Sequence, residues 1–490
     1  MQTGTLISLA LYFALMLGIG LYAWRKSTDT SEGYLLGGRN LHPAVAALSA
    51  GASDMSGWLL LGLPGALYAA GLVEAWIGIG LFAGALANWI IVAPRLREQT
   101  ERMGNALTIP EFLANRFPDK AVALRIISAV IIVVFFAVYT AAGLVGGGKL
   151  FVTSFAGLFG DTGVSDYMTG IWLTAGVVLA YTMVGGFLAV SLTDFVQGCI
   201  MVTALVLMPL VVLSGDVGTA GIGATLAAVD PDFLSLTKGL TFIGFLSAVT
   251  WGLGYFGQPH IIVRFMAVRS LAEIPTARNI GMGWMAAALL GAIGVGIAGR
   301  AYTQANGLLL EDPETIFILL ANILFHPLIT GFLLAALLAA IMSTISSQLL
   351  VASSSLTEDF YRLFLRKNAS ERETVNVGRL CVLLVALAAI AIAGDPDSEV
   401  LGLVSNAWAG FGAAFGPLIL LALTWNRMTG AGAVAGLVTG AAVVIGWIVL
   451  GWNAEFRGGA GVYEIIPGFA AAMIAIISVS LATGGKETAD

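Results

Sequence analysis

Charge is what this chain has least of. Only 11% of its 490 residues are Asp, Glu, Lys or Arg, where a soluble domain carries roughly 25%. With 23 basic and 29 acidic side chains, a globule of this length could not cover itself with charge, so a water-soluble fold is excluded. Histidine is scarcer still, and His42, His260 and His326 are too scattered to suggest a metal cluster. The two cysteines, Cys199 and Cys381, fall inside apolar runs and read as buried thiols. That leaves neither a disulfide framework nor a CxxC metal site. A net charge of −6, with the basic residues single or in short groups, gives no support to a nucleic-acid role. Also missing are any hydrophilic block long enough for a second soluble domain, any low-complexity linker and any segment that implies an obligate protein partner. The stretch from Gly484 to Asp490 is expected to hold no signalling domain, and 1–490 reads as one membrane domain.

What is abundant is apolar: 58% of the residues are hydrophobic and 62 are glycine, and small residues let membrane helices approach closely. An apolar run of about 17–25 residues crosses ~30 Å of hydrocarbon. By that measure about thirteen spans are predicted, at 5–24, 43–68, 71–94, 121–150, 165–184, 189–214, 240–258, 279–303, 328–355, 375–394, 399–424, 431–451 and 461–483. The first has Arg25 and Lys26 after it and no basic residue before it, the reverse of a signal peptide, so it is read as retained. The run 313–325 before Pro327 is predicted to be a short interfacial helix. With the N-terminus outside, nineteen of the 23 basic residues fall on the inner side, leaving Lys149, Lys238, Arg300 and Arg457 outside. An odd number of spans then puts the C-terminus inside.

Two spans are interrupted. Ala47 to Trp58 is crowded with small and polar residues, and Trp251 to His260 contains three glycines and Pro259. Close glycine packing explains either segment taken alone. Two interruptions five spans apart match the first helices of two inverted five-helix repeats, where transporters place their binding sites. Asp54 lies in the first interruption, and an ionisable group in mid-span is expensive and marks function; the alternative is an N-cap for the second half-helix. For Asp194, near the predicted inner end of its span, a helix N-cap and a part in cation passage are equally open. Glu74 reads as a helix-start charge.

The ninth span contains Ser343, Thr344, Ser346 and Ser347. Back-bonding to the helix's own carbonyls accounts for Ser346 and Ser347. Ser343 and Thr344 follow Ala340 by three and four residues, which brings one carbonyl and two hydroxyls to one side of the helix. Two carbonyls from an unwound neighbour would complete a dry five-oxygen cage. Such a set without excess carboxylates suits a small monovalent cation, sodium, better than Ca²⁺ or Mg²⁺. A channel would need a repeated filter or rings of charge, and an enzyme would need clustered nucleophile, base or metal ligands. Neither pattern occurs.

The segments Leu35 to Arg39, Ser49 to Pro64, Trp251 to His260, Met342 to Gln348 and Trp408 to Pro417 together resemble the solute:sodium symporter family, nearest its bacterial proline carriers. The resemblance runs from the first span to about residue 475. It implies an all-α, multi-pass membrane protein with a LeuT-type fold: an extra helix at 5–24, inverted repeats at 43–214 and 240–424, and two further helices at 431–483. It implies sodium as coupling ion and proline as solute, with another amino acid, a carboxylate or a sugar as the alternative, and the bacterial inner membrane as location. Carried over residue by residue, sodium would be held by the carbonyls of Ala52, Met55 and Ala340 and the hydroxyls of Ser343 and Thr344. Asp54 and Arg39 would play supporting roles, with Asp194 a further supporting candidate from its own place in its span. Proline would lie among Ser56, Gly57, Trp58, Tyr139, Trp251, Tyr255 and Pro259. This sequence departs from one such proline carrier at Ser347, where that carrier has cysteine, a swap of similar size.

Overall fold

The computed structural model describes residues 3–26, 31–158, 160, 163–215 and 218–484. Lys486, part of the predicted inner basic count, lies outside them, as do 159, 161 and 162 of a predicted outer connection. The chain is helical almost throughout, because backbone groups in hydrocarbon must bond within their own segment.

Helix α1 (Thr3–Lys26) precedes a bent pair, α2 (Pro43–Asp54) and α3 (Gly57–Ala70), which meet at 72°. There follow α4 (Ala75–Arg102), a short α5 (Ile109–Arg116), α6 (Ala121–Phe155) and the 49-residue α7 (Asp166–Ser214). Gly186, with φ 59° and ψ −155°, kinks α7; that backbone geometry is open to glycine alone. The second interrupted run is α8 (Phe242–Val249), a 3₁₀ stretch at Thr250–Gly257, and α9 (Pro259–Ala267). Next come α10 (Ile274–Ala305), α11 (Ile316–Leu324) and α12 (Pro327–Ser354), which continues as a π-helix over Ser355–Leu365. The chain ends in α13 (Glu371–Ile392), α14 (Val400–Thr424), α15 (Gly430–Val449) and α16 (Ile465–Thr483).

Ten helices among the described residues are long and apolar enough to cross a membrane, and the bent pair makes an eleventh. The predicted spans at 165–184 and 240–258 fall on the first part of α7 and on the interrupted run Phe242–Gly257. The figure of about thirteen counts these two as well. As predicted, 313–325 forms a short helix, and α11 turns Ile316, Phe317 and Leu320 inward.

Two findings differ from the sequence reading. The connection after α15 holds a two-residue antiparallel ribbon, Glu455–Phe456 with Gly459–Ala460, closed by Arg457 (φ 53°) and Gly458 (φ 79°). Two successive positive φ values are what a tight hairpin turn needs. Cys199 is exposed and Cys381 half-buried, because outward positions on membrane helices are apolar to meet lipid; the buried-thiol reading therefore fails for Cys199.

The core centres on α12 and α14. Nearly every residue of α12 from Leu333 to Leu350 is buried, whereas α1 and α16 expose most of their length. A helix surrounded by protein on all sides can carry hydroxyls inward in any direction, and α12 carries five polar side chains from Ser343 to Gln348.

Candidate functional site

Pro43 starts α2, with His42 as its cap. The helix stops at Asp54 because Met55 (φ −79°, ψ 75°) leaves helical space. Ser56 is extended, and its hydroxyl accepts the Trp58 N–H at 3.4 Å. This is N-capping of α3 by serine, so the cap is Ser56 and not Asp54, which stays free for other contacts. In the second run Thr241 caps α8. Pro259 opens α9 without an N–H of its own, and Gln258 before it is extended, as a residue preceding proline prefers. A Cβ added to Gly252 would lie 2.3 Å from the Gly80 carbonyl, and one on Gly257 2.3 Å from that of Phe411. The two runs are thus broken by different means, one by a polar cap and the other by glycine contact.

The breaks meet at Asp54. Its backbone carbonyl accepts from Trp58 Nε1 at 3.1 Å and from the Tyr139 hydroxyl at 3.2 Å. Its carboxylate Oδ2 accepts a short hydrogen bond from the Tyr255 hydroxyl. Ser56, Gly57, Trp58, Tyr139, Trp251, Tyr255 and Pro259 are all buried. Trp251 stacks on Tyr463 at 5.2 Å, and its carbonyl accepts from Trp408 Nε1 at 2.7 Å; Tyr255 meets the same indole edge-on at 5.0 Å. Trp408 and Tyr463 escaped the sequence reading of the pocket. The only available signal was the aromatic and glycine-rich segment from Trp408 to Pro417.

One turn before the break, four of the five predicted cation ligands converge. Ser343 Oγ is 2.7 Å from the Ala52 carbonyl and 3.1 Å from that of Ala340. Thr344 Oγ1 is 3.5 Å from Ala52 and 3.2 Å from Ala340. Met55 is fully buried at the break itself. Hydroxyls that donate to these carbonyls can rotate to present lone pairs, so the set can close around a dehydrated cation.

The other two supporting candidates, Arg39 and Asp194, lie elsewhere. Arg39, held at φ 51°, binds the Asn105 side chain at 2.7 Å and the carbonyls of Ala106 and Met266 at 2.6 and 2.9 Å. It ties the start of the first interrupted run to the α4–α5 connection and the end of α9. Asp194 sits within continuous α7 past the kink, so it is no N-cap. Its Oδ2 accepts from Ser49 at 2.7 Å, Arg264 at 3.2 Å and Ser347 at 3.3 Å. Arg264, fully buried, is the partner the sequence did not announce. Ser346 does back-bond, to Ser343 at 3.0 Å, but Ser347 turns instead to Asp194 and Arg264.

Residues 34–440 match the sodium:solute symporter family. The chain belongs to that family. The symporter is 55% identical to the high-affinity proline transporter PutP of Bacillus subtilis, with 97% of each chain covered. It is 53% identical to the sodium/proline symporter of Staphylococcus aureus, over 98% of this chain and 93% of that one. Among solved structures it superposes on a Na⁺-coupled sialic acid symporter with a TM-score of 0.80 at 20% identity, with 98% of each chain covered. That likeness establishes the LeuT-type fold of this multi-pass membrane protein. It is a transporter, not an enzyme.

Proposed function

We propose that this protein couples the inward movement of sodium to uptake of L-proline by alternating access. The observation that carries the reading is the meeting of two interrupted helices at Asp54, one turn from four converging oxygens. The full-length relatives named as proline transporters supply the solute. In this reading sodium sits among Ala52, Met55, Ala340, Ser343 and Thr344, drawing α2 onto α12. Asp54 shares that turn of chain, so a bound cation fixes the break and the start of α3, where the Gly57 N–H and the positive end of the helix lie. Those groups can receive the proline carboxylate, while Trp251 and Tyr255 cover the ring and attract the ammonium by cation–π contact. Arg39 and Asp194 support the cycle by holding the cytoplasmic ends of these helices. The repeats lie at 43–214 and 240–424, flanked by 5–24 and 431–483.

The protein resides in the bacterial inner membrane with its N-terminus outside. Segregation of basic residues supports the orientation. Lys238 reaches the Ala70 carbonyl and Arg300 covers Tyr68 at one end, while Arg39 binds a carbonyl in the last turn of α9 and Arg97 one just after it at the other. The test is uptake of labelled proline into liposomes, with and without an inward sodium gradient and against unlabelled competitors. Accumulation that needs the gradient and yields to proline above other solutes is expected. Uptake indifferent to sodium would overturn the reading.

A further inference from the structure

A small cavity of about 20 Å³ lies behind the first break, enclosed by α2, α4, α9 and α10. Asn88 of α4 and Asp54 both line it. Asn88 is 1% exposed, and neither its amide nitrogen nor its oxygen has a hydrogen-bond partner. Asp54 is 1% exposed and its Oδ1 is likewise unpartnered, although Oδ2 accepts from Tyr255. Buried polar groups are seldom left unpaired, and here three unpaired atoms belong to two side chains that line one space. A site of roughly 10–15 Å³ with two to four polar partners is enough for one water.

We propose that Asn88 and Asp54 hold a single water molecule between them, which makes Asn88 a positioning residue for the Asp54 carboxylate. The water accepts from the Asn88 amide N–H, donates to Asp54 Oδ1 and can return its second hydrogen to the Asn88 oxygen. A sodium ion does not suit this space: two side-chain oxygens are too few, and Met55, Met282 and Met285, which also line it, offer soft thioethers that do not favour a hard cation. With Tyr255 on Oδ2 and water on Oδ1, both oxygens of the carboxylate are engaged and its plane is fixed. The turn from Ala52 to Ser56 is then held from behind. This inference rests on the reading of Asp54 as part of the cation machinery.

The test is equilibrium proline binding to purified protein as a function of sodium, for Asn88→Leu and Asn88→Ser, each alone and combined with Asp54→Ala. Asn88→Leu should raise the half-saturating sodium concentration about fivefold, the scale of one ordinary net hydrogen bond. Proline affinity at saturating sodium should stay within about twofold. Asn88→Ser, which keeps a hydroxyl and leaves room for solvent, should shift less and serves if the leucine variant does not fold. Neither substitution should add to the effect of Asp54→Ala, because a merely structural role would add in full. Wild-type sodium dependence in folded Asn88 variants, or full additivity, would overturn the proposal. Fewer sodium ions per proline in Asn88→Leu would overturn it in favour of a cation at this place. Should Asp54→Ala itself leave sodium dependence unchanged, the reading of Asp54 fails first, and the inference with it.

Discussion

The two interrupted helices do similar work by opposite means. At 54–57 the chain leaves the helix for two residues, is re-capped by a serine hydroxyl and turns by 72°. At 250–257 it tightens into a 3₁₀ stretch whose glycines press against α4 and α14. The first break is made by a polar side chain and can relax when that side chain changes. The second is made by glycine contact, and at Gly252 and Gly257 the neighbour is backbone that cannot move aside. Glycine packing and unwinding looked like rival explanations of Trp251 to His260 in the sequence; in the second break they are one and the same.

Five substitutions would sharpen or break this contrast. Gly252→Ala should be the most damaging, because its Cβ would meet the Gly80 carbonyl and overpacking against backbone costs about 1–3 kcal/mol or more. Uptake below about a tenth of wild type, with a lowered unfolding temperature, is expected; normal values for both would deny that the glycine contact sets the break. Tyr255→Ala removes both a ring and the hydroxyl on Asp54, and a loss of about 2 kcal/mol should weaken proline binding roughly thirtyfold. Sodium bound alone should be less affected, though apparent sodium affinity with proline present must fall too, since coupling is reciprocal. A folded variant with unaltered proline affinity would remove Tyr255 from the pocket.

Ser343→Ala and Thr344→Ala should each raise the sodium concentration for half-maximal uptake about tenfold, the effect of ~1.4 kcal/mol. Sodium titrations that overlay wild type in both would take this pair out of the cation site. Ser56→Ala should be mildest, since a lost helix cap costs about 1 kcal/mol, or roughly fivefold in an equilibrium. Calorimetry and proline binding would report it, and an effect as severe as that of Gly252→Ala would erase the distinction between the breaks.

The spans were legible because each is a long apolar run, and the breaks because serine, glycine and proline cluster at Ser49 to Gly57 and Gly252 to Pro259. The cage was legible in part, since the spacing of Ala340, Ser343 and Thr344 follows from helix geometry alone. What crosses between distant segments was not. Nothing near Asp194 in sequence points to Arg264, and its place near the predicted inner end of the span 189–214 looked like a helix cap where α7 continues through its kink. Ser347 looked like its back-bonding neighbour Ser346 for the same reason. Asn88 gave no sign at all, because a single amide in an apolar helix carries no pattern.

The helix that bears Ser343 and Thr344 is also buried along nearly its whole inner length, and it bears none of the aromatic rings around Asp54. Descendants of this protein could therefore exchange those rings, and with them the nutrient they import, while leaving the helix of Ser343 and Thr344 untouched. Engineering of solute preference should begin at Trp251, Tyr255 and Trp408 and spare α12, where almost any change of volume would be felt by its neighbours.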